Sequence, residues 1–163
     1  MDYVLRIRLT DEIESVLENN NVGKSELEPV IDIFYKPRKV QIKHFSPRMN
    51  IVRLRRFPDR EELAKTKVFK LGLGYTDEKE RIDSLDGYDE WGRLKSHSTE
   101  YRLAVSDTTV KILRERFPFG RFIKIEAPST DVLSRAVNFL GVRASETINK
   151  TSAEMLAEHM GLI

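Results

Sequence analysis

Cysteine is absent from this chain of 163 residues, and histidine is scarce. Without cysteine, the protein has no disulfide bonds, no thiolate metal ligands and no cysteine nucleophile. The three histidines, His44, His97 and His159, stand far apart in the sequence. Their spacing argues against a histidine-rich metal centre.

Long apolar runs and familiar catalytic motifs are missing too. No stretch approaches the roughly 18 to 20 apolar residues of a membrane span, so we expect no membrane partner. The first residues lack the basic and apolar regions of a secretory signal, which predicts a cytoplasmic protein. Neither the phosphate-binding P-loop nor the dinucleotide fingerprint occurs. The length suits a single domain over residues 1–163, with its oligomeric state left open.

The charged residues are segregated along the chain, although the formal net charge is only +2. Residues 36–70 contain twelve Lys or Arg against three Asp or Glu, whereas residues 71–90 contain two against seven. Residues 1–32 contain three against eight. This segregation indicates a positive site within a neutral whole. It favours a compact anionic ligand over a general coating of nucleic acid.

Cations recur at every second position in several segments that are otherwise apolar. Residues i and i+2 of a strand point to the same face of a sheet. If these strands are neighbours, their cations repel one another unless a polyanion lies among them. The pattern therefore predicts a phosphate-rich ligand. The pairs are Arg6 with Arg8, Arg53 with Arg55, and Lys65 with Lys67.

Alternation and turn residues predict an α+β protein built on a large antiparallel sheet or barrel. Helices are predicted after the N-caps Thr10, Ser129 and Thr151. Residues 76–85 suit a short acidic helix, although residues 72–99 are hard to interpret. Residues 108–117 fit both a strand and a helix, and we favour the strand. Strands are predicted at residues 3–9, 30–35, 40–45, 50–57, 63–71, 99–105, 108–117 and 121–126.

Seven short motifs occur in the order found in the CYTH superfamily, which includes class IV adenylyl cyclases and thiamine triphosphatases. No single motif is specific, but together they cover most of the chain outside residues 72–99. The chain therefore resembles a divergent member of that superfamily. The matching segments are Asp2-x-Val4-x-Arg6, Asp32-Ile33-Phe34-Tyr35, Val52-Arg53-Leu54-Arg55, Ala64-Lys65-Thr66-Lys67, residues 120–126, Phe139-Leu140-Gly141 and residues 150–156.

The resemblance implies an antiparallel β-barrel or tunnel of about eight strands with flanking α-helices. In that family, Lys and Arg line the tunnel and hold a linear triphosphate, which suits the geometry of guanidinium and ammonium donors. The expected ligand is a triphosphate-containing small molecule or polyphosphate. Arg6, Arg53, Arg55, Lys67 and Arg102 are expected to converge in one cavity. Arg8, Lys65 and Lys150 are further candidates for triphosphate binding.

The resemblance also implies Mg²⁺ or Mn²⁺ held by acidic residues, for which Asp2 and Glu126 are the weak candidates here. Val4, Arg114 and Lys124 stand where family members carry carboxylates. A lysine or arginine repels a divalent cation, and a valine cannot bind one. The resemblance therefore implies a degenerate triphosphatase or phosphohydrolase whose Mg²⁺-dependent triphosphatase or cyclase activity is weak or absent. No catalytic residue is assigned.

Two other interpretations are compatible with the sequence. The first is a non-catalytic nucleotide- or RNA-binding module of the same fold, since Phe45, Phe57 and Phe69 are interleaved with basic residues. The second is a structural domain whose basic strand faces are simply solvated.

Overall fold

The computed structural model describes residues 2–163. Within this range the chain forms ten strands and three α-helices. The helices are α1 (Asp11–Asn20), α2 (Thr130–Phe139) and α3 (Ser152–His159). The strands are β1 (Tyr3–Arg8), β2 (Asn21–Glu26), β3 (Val30–Pro37), β4 (Asn50–Arg56), β5 (Glu61–Leu71), β6 (Gly74–Arg81), β7 (Tyr88–Val105), β8 (Thr108–Phe117), β9 (Gly120–Ala127) and β10 (Thr147–Ile148).

Eight of these strands form a closed ring. Their order is β1, β6, β5, β4, β3, β7, β8 and β9, and β9 pairs again with β1. The pairings around the ring are antiparallel. β2 adds to β7, and β10 adds to β1. The α+β fold class, with about eight antiparallel strands and flanking helices, is confirmed.

The ring closes between β1 and β6 through one residue pair, Val4 with Tyr75. Gly74 lies beside this closure, and a Cβ atom there would sit 2.4 Å from the carbonyl oxygen of Val4. Only glycine allows the two backbones to approach so closely.

The outer wall of the ring is covered by α1 and α2. Ile13 and Leu17 of α1 and Leu133 of α2 are buried against strand residues such as Tyr101 and Ile125. Thr10 and Ser129 cap the two helices, because each hydroxyl accepts a hydrogen bond from a backbone N–H three residues later. The helices expected after these two residues are confirmed.

A second core lies inside the ring, where α3 packs against lumen-facing side chains. Met155 and Leu156 of α3 are buried with Phe34, Tyr75 and Phe122. Thr151 caps this helix by accepting a hydrogen bond from the Glu154 N–H. The apolar cluster around α3 therefore fills part of the lumen and leaves the remainder to polar residues.

Two local predictions are wrong. Residues 76–85 do not form an acidic helix, because residues 74–81 form β6 and pair with β5. The acidic residues Glu78 and Glu80 stand opposite Lys67 and Lys65 in that pairing, which supports the strand. Residues 40–45 are not a strand; they contain a 3₁₀ turn at Ile42–His44. None of the helices within residues 2–163 is long and apolar enough to cross a membrane.

Candidate functional site

The ring encloses a cavity of about 430 Å³. Six Lys or Arg and five Asp or Glu side chains line it, so its wall carries charges of both signs. The cations are Arg6, Arg53, Arg55, Arg60, Lys79 and Lys124, and the carboxylates are Glu26, Glu28, Asp32, Asp77 and Glu115.

Arg6 lies in the cavity wall, but protein groups already occupy its guanidinium. Its Nε and Nη2 atoms donate to the Glu115 carboxylate at 2.8 and 3.3 Å. Its Nη1 donates to the Tyr75 hydroxyl at 2.9 Å and to the Lys150 carbonyl at 2.8 Å. Burial alone would lower the pKa of Arg6, but Glu115 and Tyr75 together raise it above its ordinary value. The geometry gives Arg6 a structural role in the wall.

Arg55 is similarly engaged with Asp32, which is buried. The Arg55 Nε and Nη2 donate to the two carboxylate oxygens at 2.7 and 2.9 Å. This is the bidentate geometry in which guanidinium and carboxylate bind strongly. Burial alone would lower the pKa of Arg55, but the hydrogen bonds to Asp32 raise it above the usual value.

Arg53 and Lys79 are cavity cations whose charge is poorly compensated. The Arg53 Nε lies 3.9 Å from an oxygen of Asp32, which Arg55 already binds. Among residues 2–163, Lys79 forms no direct ion pair, and Asp77 attracts it only at longer range. Burial, followed by the charge of Arg55, lowers the pKa of Arg53. Burial, followed by the charge of Arg53, lowers the pKa of Lys79.

The strand register leaves space between these two cations. Arg53 on β4 is opposite Ala64 on β5, and Lys79 on β6 is opposite Thr66 on β5. Ala64 and Thr66 are small side chains, and Thr66 lines the cavity. Two donor-rich cations therefore face a common space across a strand that carries only short side chains on this face.

Lys65 and Lys67 do not lie in this cavity. Their neighbour Thr66 points inward, so both lysines point away from the lumen. The Lys-x-Lys spacing predicts one face of a strand, and in the structure that face is the outer one.

Three further candidates are also outside the cavity lining. Arg8 places its guanidinium 5.2 Å from the ring centre of Phe122. Arg102 is about half exposed and pairs with Glu100 at 3.1 Å. The Lys150 ammonium pairs with Glu158 at 2.8 Å, although its carbonyl binds Arg6. The expected convergence thus holds for Arg6, Arg53 and Arg55, and it fails for Lys67 and Arg102.

The charged cavity residues that the sequence did not identify include Lys79, Lys124, Arg60 and Glu115. Lys79 follows Asp77 at strand spacing, but the acidic surroundings were interpreted as a helix. Lys124 was noted only as an altered metal ligand. Glu115 follows Arg114, the residue that was aligned with a family aspartate. Because a shift by one residue moves a strand side chain to the opposite face, that alignment placed the carboxylate position on the wrong face of the strand.

The metal-ligand candidates Asp2 and Glu126 do not fit a divalent cation. Asp2 is exposed. Glu126 is bound by Lys111 at 3.3 Å and by Lys124 at 3.1 Å. Burial would raise the pKa of Glu126, but the two lysines lower it overall. Across residues 2–163, no group of three or more acidic or histidine side chains is arranged to hold a metal ion.

The three phenylalanines considered for nucleic-acid stacking have separate environments. Phe45 packs on Trp91 at 5.8 Å between ring centres. Phe57 lines the cavity, and the Arg60 guanidinium lies 3.8 Å from its ring centre. Phe69 is exposed on β5. They form no continuous stacking surface within the described chain.

Several solved structures share this architecture at low sequence identity. The chain is similar to a protein from Pyrococcus horikoshii, at 19% identity and a TM-score of 0.65, over 98% of this chain and 99% of that one. It is also similar to a candidate adenylyl cyclase from Hippeastrum with a dominant triphosphatase activity, at 11% identity and a TM-score of 0.60, over 98% and 95% of the two chains.

A third similar structure is a candidate adenylate cyclase from Vibrio parahaemolyticus, at 14% identity and a TM-score of 0.57, over 96% of this chain and 97% of that one. No protein-family model matches the sequence, and no curated protein matches it. At these identities the similarity concerns the fold. The chain shares the fold of these structures, as the order of its CYTH-like motifs predicts.

Proposed function

We propose that the cavity binds the phosphates of a triphosphate- or polyphosphate-containing ligand through Arg53 and Lys79. The supporting observation is that these two cations face the lumen without close, unshared carboxylate partners. Guanidinium binds phosphate oxygens in pairs, and ammonium supplies a compact charge. An entering polyanion would offset the cost of holding the two charges side by side away from water.

The neighbouring cations extend this proposal along the cavity. Lys124 lines the cavity and is shared with Glu126, so its charge is partly available to a ligand. Arg60 lines it as well and is partly held by Glu28 and Asp59. A chain of several phosphates could therefore contact Arg53 and Lys79 first and reach Lys124 or Arg60 with its remaining charge.

Calorimetric titration with inorganic tripolyphosphate at fixed ionic strength tests the proposal. We expect Arg53→Gln and Lys79→Met each to weaken binding at least tenfold, which corresponds to about 1.4 kcal/mol. Lys65→Met and Lys67→Met are the matched controls, because they remove cations from the outer face of the adjacent strand. Equal loss in all four variants would show general electrostatic attraction and contradict a lumen site.

The proposal includes a degenerate phosphohydrolase activity with little Mg²⁺ dependence. Val4 cannot bind a metal, and Glu126 is held by two lysines, so the residues present do not fit the family's metal. We expect slow, chelator-insensitive turnover of inorganic triphosphate, ATP and thiamine triphosphate. Rapid turnover of about 1 to 100 per second that a chelator abolishes would refute this assignment.

A nucleotide ligand is the second candidate, and Phe57 favours it. This ring lines the same cavity as Arg53 and is covered on one face by Arg60. Aromatic and guanidinium planes are both surfaces on which a nucleobase stacks. Phe57→Leu should then weaken ATP binding and leave tripolyphosphate binding unchanged. Equal effects on both ligands would remove the nucleotide candidate.

A further inference from the structure

Three basic side chains form a row on the outer wall of the ring and point away from the cavity. His97 on β7 pairs with Arg116 on β8, which pairs in turn with Arg121 on β9. Directly opposed residues on antiparallel strands have Cβ atoms only about 4.5 to 5.5 Å apart, and like charges there are destabilising. We call His97, Arg116 and Arg121 the outer-wall row.

Nearby carboxylates offset the positive charge of the outer-wall row only at its two ends. Glu26 lies 3.6 Å from the His97 Nε2. Glu14 of α1 lies 3.8 Å from Arg121, but it binds Arg114 more closely, at 2.9 Å. Glu115, the sequence neighbour of Arg116, directs its carboxylate to Arg6. Within the described chain, Arg116 at the centre of the row forms no ion pair.

A shallow concavity of about 120 Å³ lies over this row. Its lining includes all three residues of the row, together with Thr99 and Arg114. It also includes Glu14 and Glu115, whose carboxylates are held by Arg114 and Arg6. This volume is large enough for one tetrahedral oxyanion. Two guanidinium forks from neighbouring strands provide donors that match the oxygens of such a group.

We propose that the outer-wall row is a second anion site, which binds a single phosphate group between Arg116 and Arg121 with His97 beside it. It is separate from the lumen because the side chains of Arg116 and Glu115 alternate between the two faces of β8. The phosphate comes either from free inorganic phosphate or from a phosphate monoester on a larger molecule. The proposal does not depend on the function assigned to the lumen.

Nuclear magnetic resonance of the arginine Nε–Hε groups tests this site directly. The Arg53→Gln/Lys79→Met background removes the proposed lumen cations, so lumen binding does not contribute. Inorganic phosphate and phosphoserine are titrated separately, with chloride adjusted to hold ionic strength constant. Saturable shifts of the Arg116 and Arg121 signals are expected, and the Arg116→Gln variant should bind at least tenfold more weakly. Arg93→Gln is the control, because Arg93 is an exposed arginine of β7 held by Glu90.

The two ligands distinguish the source of the phosphate. Saturation by inorganic phosphate assigns the site to the free anion, whereas saturation by phosphoserine alone assigns it to a phosphate carried by a larger molecule. The proposal is overturned if neither ligand saturates, or if Arg116→Gln and Arg93→Gln weaken binding equally. A lumen that fails to bind tripolyphosphate would leave these outcomes unaffected.

Discussion

Arg6 and Glu115 form an ion pair in the lumen wall that is almost entirely removed from solvent, with side-chain exposures of 3% and 9%. Removing one partner of such a pair leaves a buried charge without compensation. We expect Glu115→Ala to lower the free energy of unfolding by about 3 to 5 kcal/mol, measured by urea denaturation.

Two further variants distinguish the effect of an unpaired buried charge from the effect of shortening a side chain. The double variant Arg6→Met/Glu115→Leu should recover much of the stability, because no buried charge remains. Glu146→Ala, which breaks the exposed pair with Arg143, should have a much smaller effect. A Glu115→Ala loss no larger than that of Glu146→Ala would show that the Arg6 charge finds another partner.

Lys79 makes anion binding depend on pH. Burial and Arg53 lower its pKa from the ordinary lysine value of about 10.4, so it loses its proton at a lower pH than the unfolded chain does. The unfolded chain then holds more protons in that window, and stability contributed by this group rises with pH. A bound polyanion favours the protonated form, so its affinity should fall over the same window.

Calorimetry with tripolyphosphate at about pH 7 and about pH 9.5 measures this effect. We expect the wild type to lose more affinity than Lys79→Met between the two values. The ligand's own titration is common to both proteins and cancels in the comparison. Parallel pH dependences would show that Lys79 does not contact the anion.

At the residue scale, the order of the family motifs together with strand parity indicates which cations face the lumen. Arg53 and Arg55 were expected in the lumen and lie there. The face of Lys65 and Lys67 could not be assigned from spacing alone, since both faces of β5 carry alternating side chains. Lys79 was missed because Glu78 and Glu80 gave its segment a helix-like acidic pattern. Only the pairing of β6 with β5 distinguishes these alternatives.

At the scale of elements, Gly74 controls the closure between β1 and β6. A methyl group at this position would lie 2.4 Å from the Val4 carbonyl oxygen, so one backbone must move. We expect Gly74→Ala to destabilise the protein by about 1 to 3 kcal/mol, the usual cost of overpacking. Urea denaturation provides the measurement.

Gly23→Ala in β2 is the matched control for Gly74→Ala. A Cβ atom at Gly23 would meet Arg102 at 3.6 Å, which is an ordinary contact. It should be nearly neutral or slightly stabilising, because alanine restricts the unfolded chain. If both variants had the same small effect, the closure would have to tolerate a shift of β1 relative to β6.

Most elements were predictable because alternation, caps and turn residues are local signals. The three helix starts at Thr10, Ser129 and Thr151 follow from short polar caps before apolar periodicity. The full length of β7 was not predicted, since Gly87 and Gly92 interrupt its pattern. Gly92 instead admits α3, whose Leu156 would lie 3.1 Å from a Cβ atom there. Long-range packing of this kind leaves no local sequence signal.

At the scale of the whole molecule, the ring encloses a mixed-charge cavity. Its fold could be anticipated from the order of motifs, whereas strand pairing and the position of α3 depend on contacts between distant residues. The balance of six cations and five carboxylates in the lumen also emerged only from the structure. Within this lining, burial and neighbouring cations lower the pKa of both Arg53 and Lys79.

Thermal unfolding with tripolyphosphate, against chloride at equal ionic strength, tests the central claim that these two cations bind a polyanion. At about 100 times its dissociation constant the ligand should add roughly 2.7 kcal/mol of stability. We expect a higher midpoint for the wild type and for Lys65→Met/Lys67→Met, and a much smaller increase for Arg53→Gln/Lys79→Met. Equal midpoints in tripolyphosphate and chloride for the wild type, or an unchanged increase in Arg53→Gln/Lys79→Met, would contradict it.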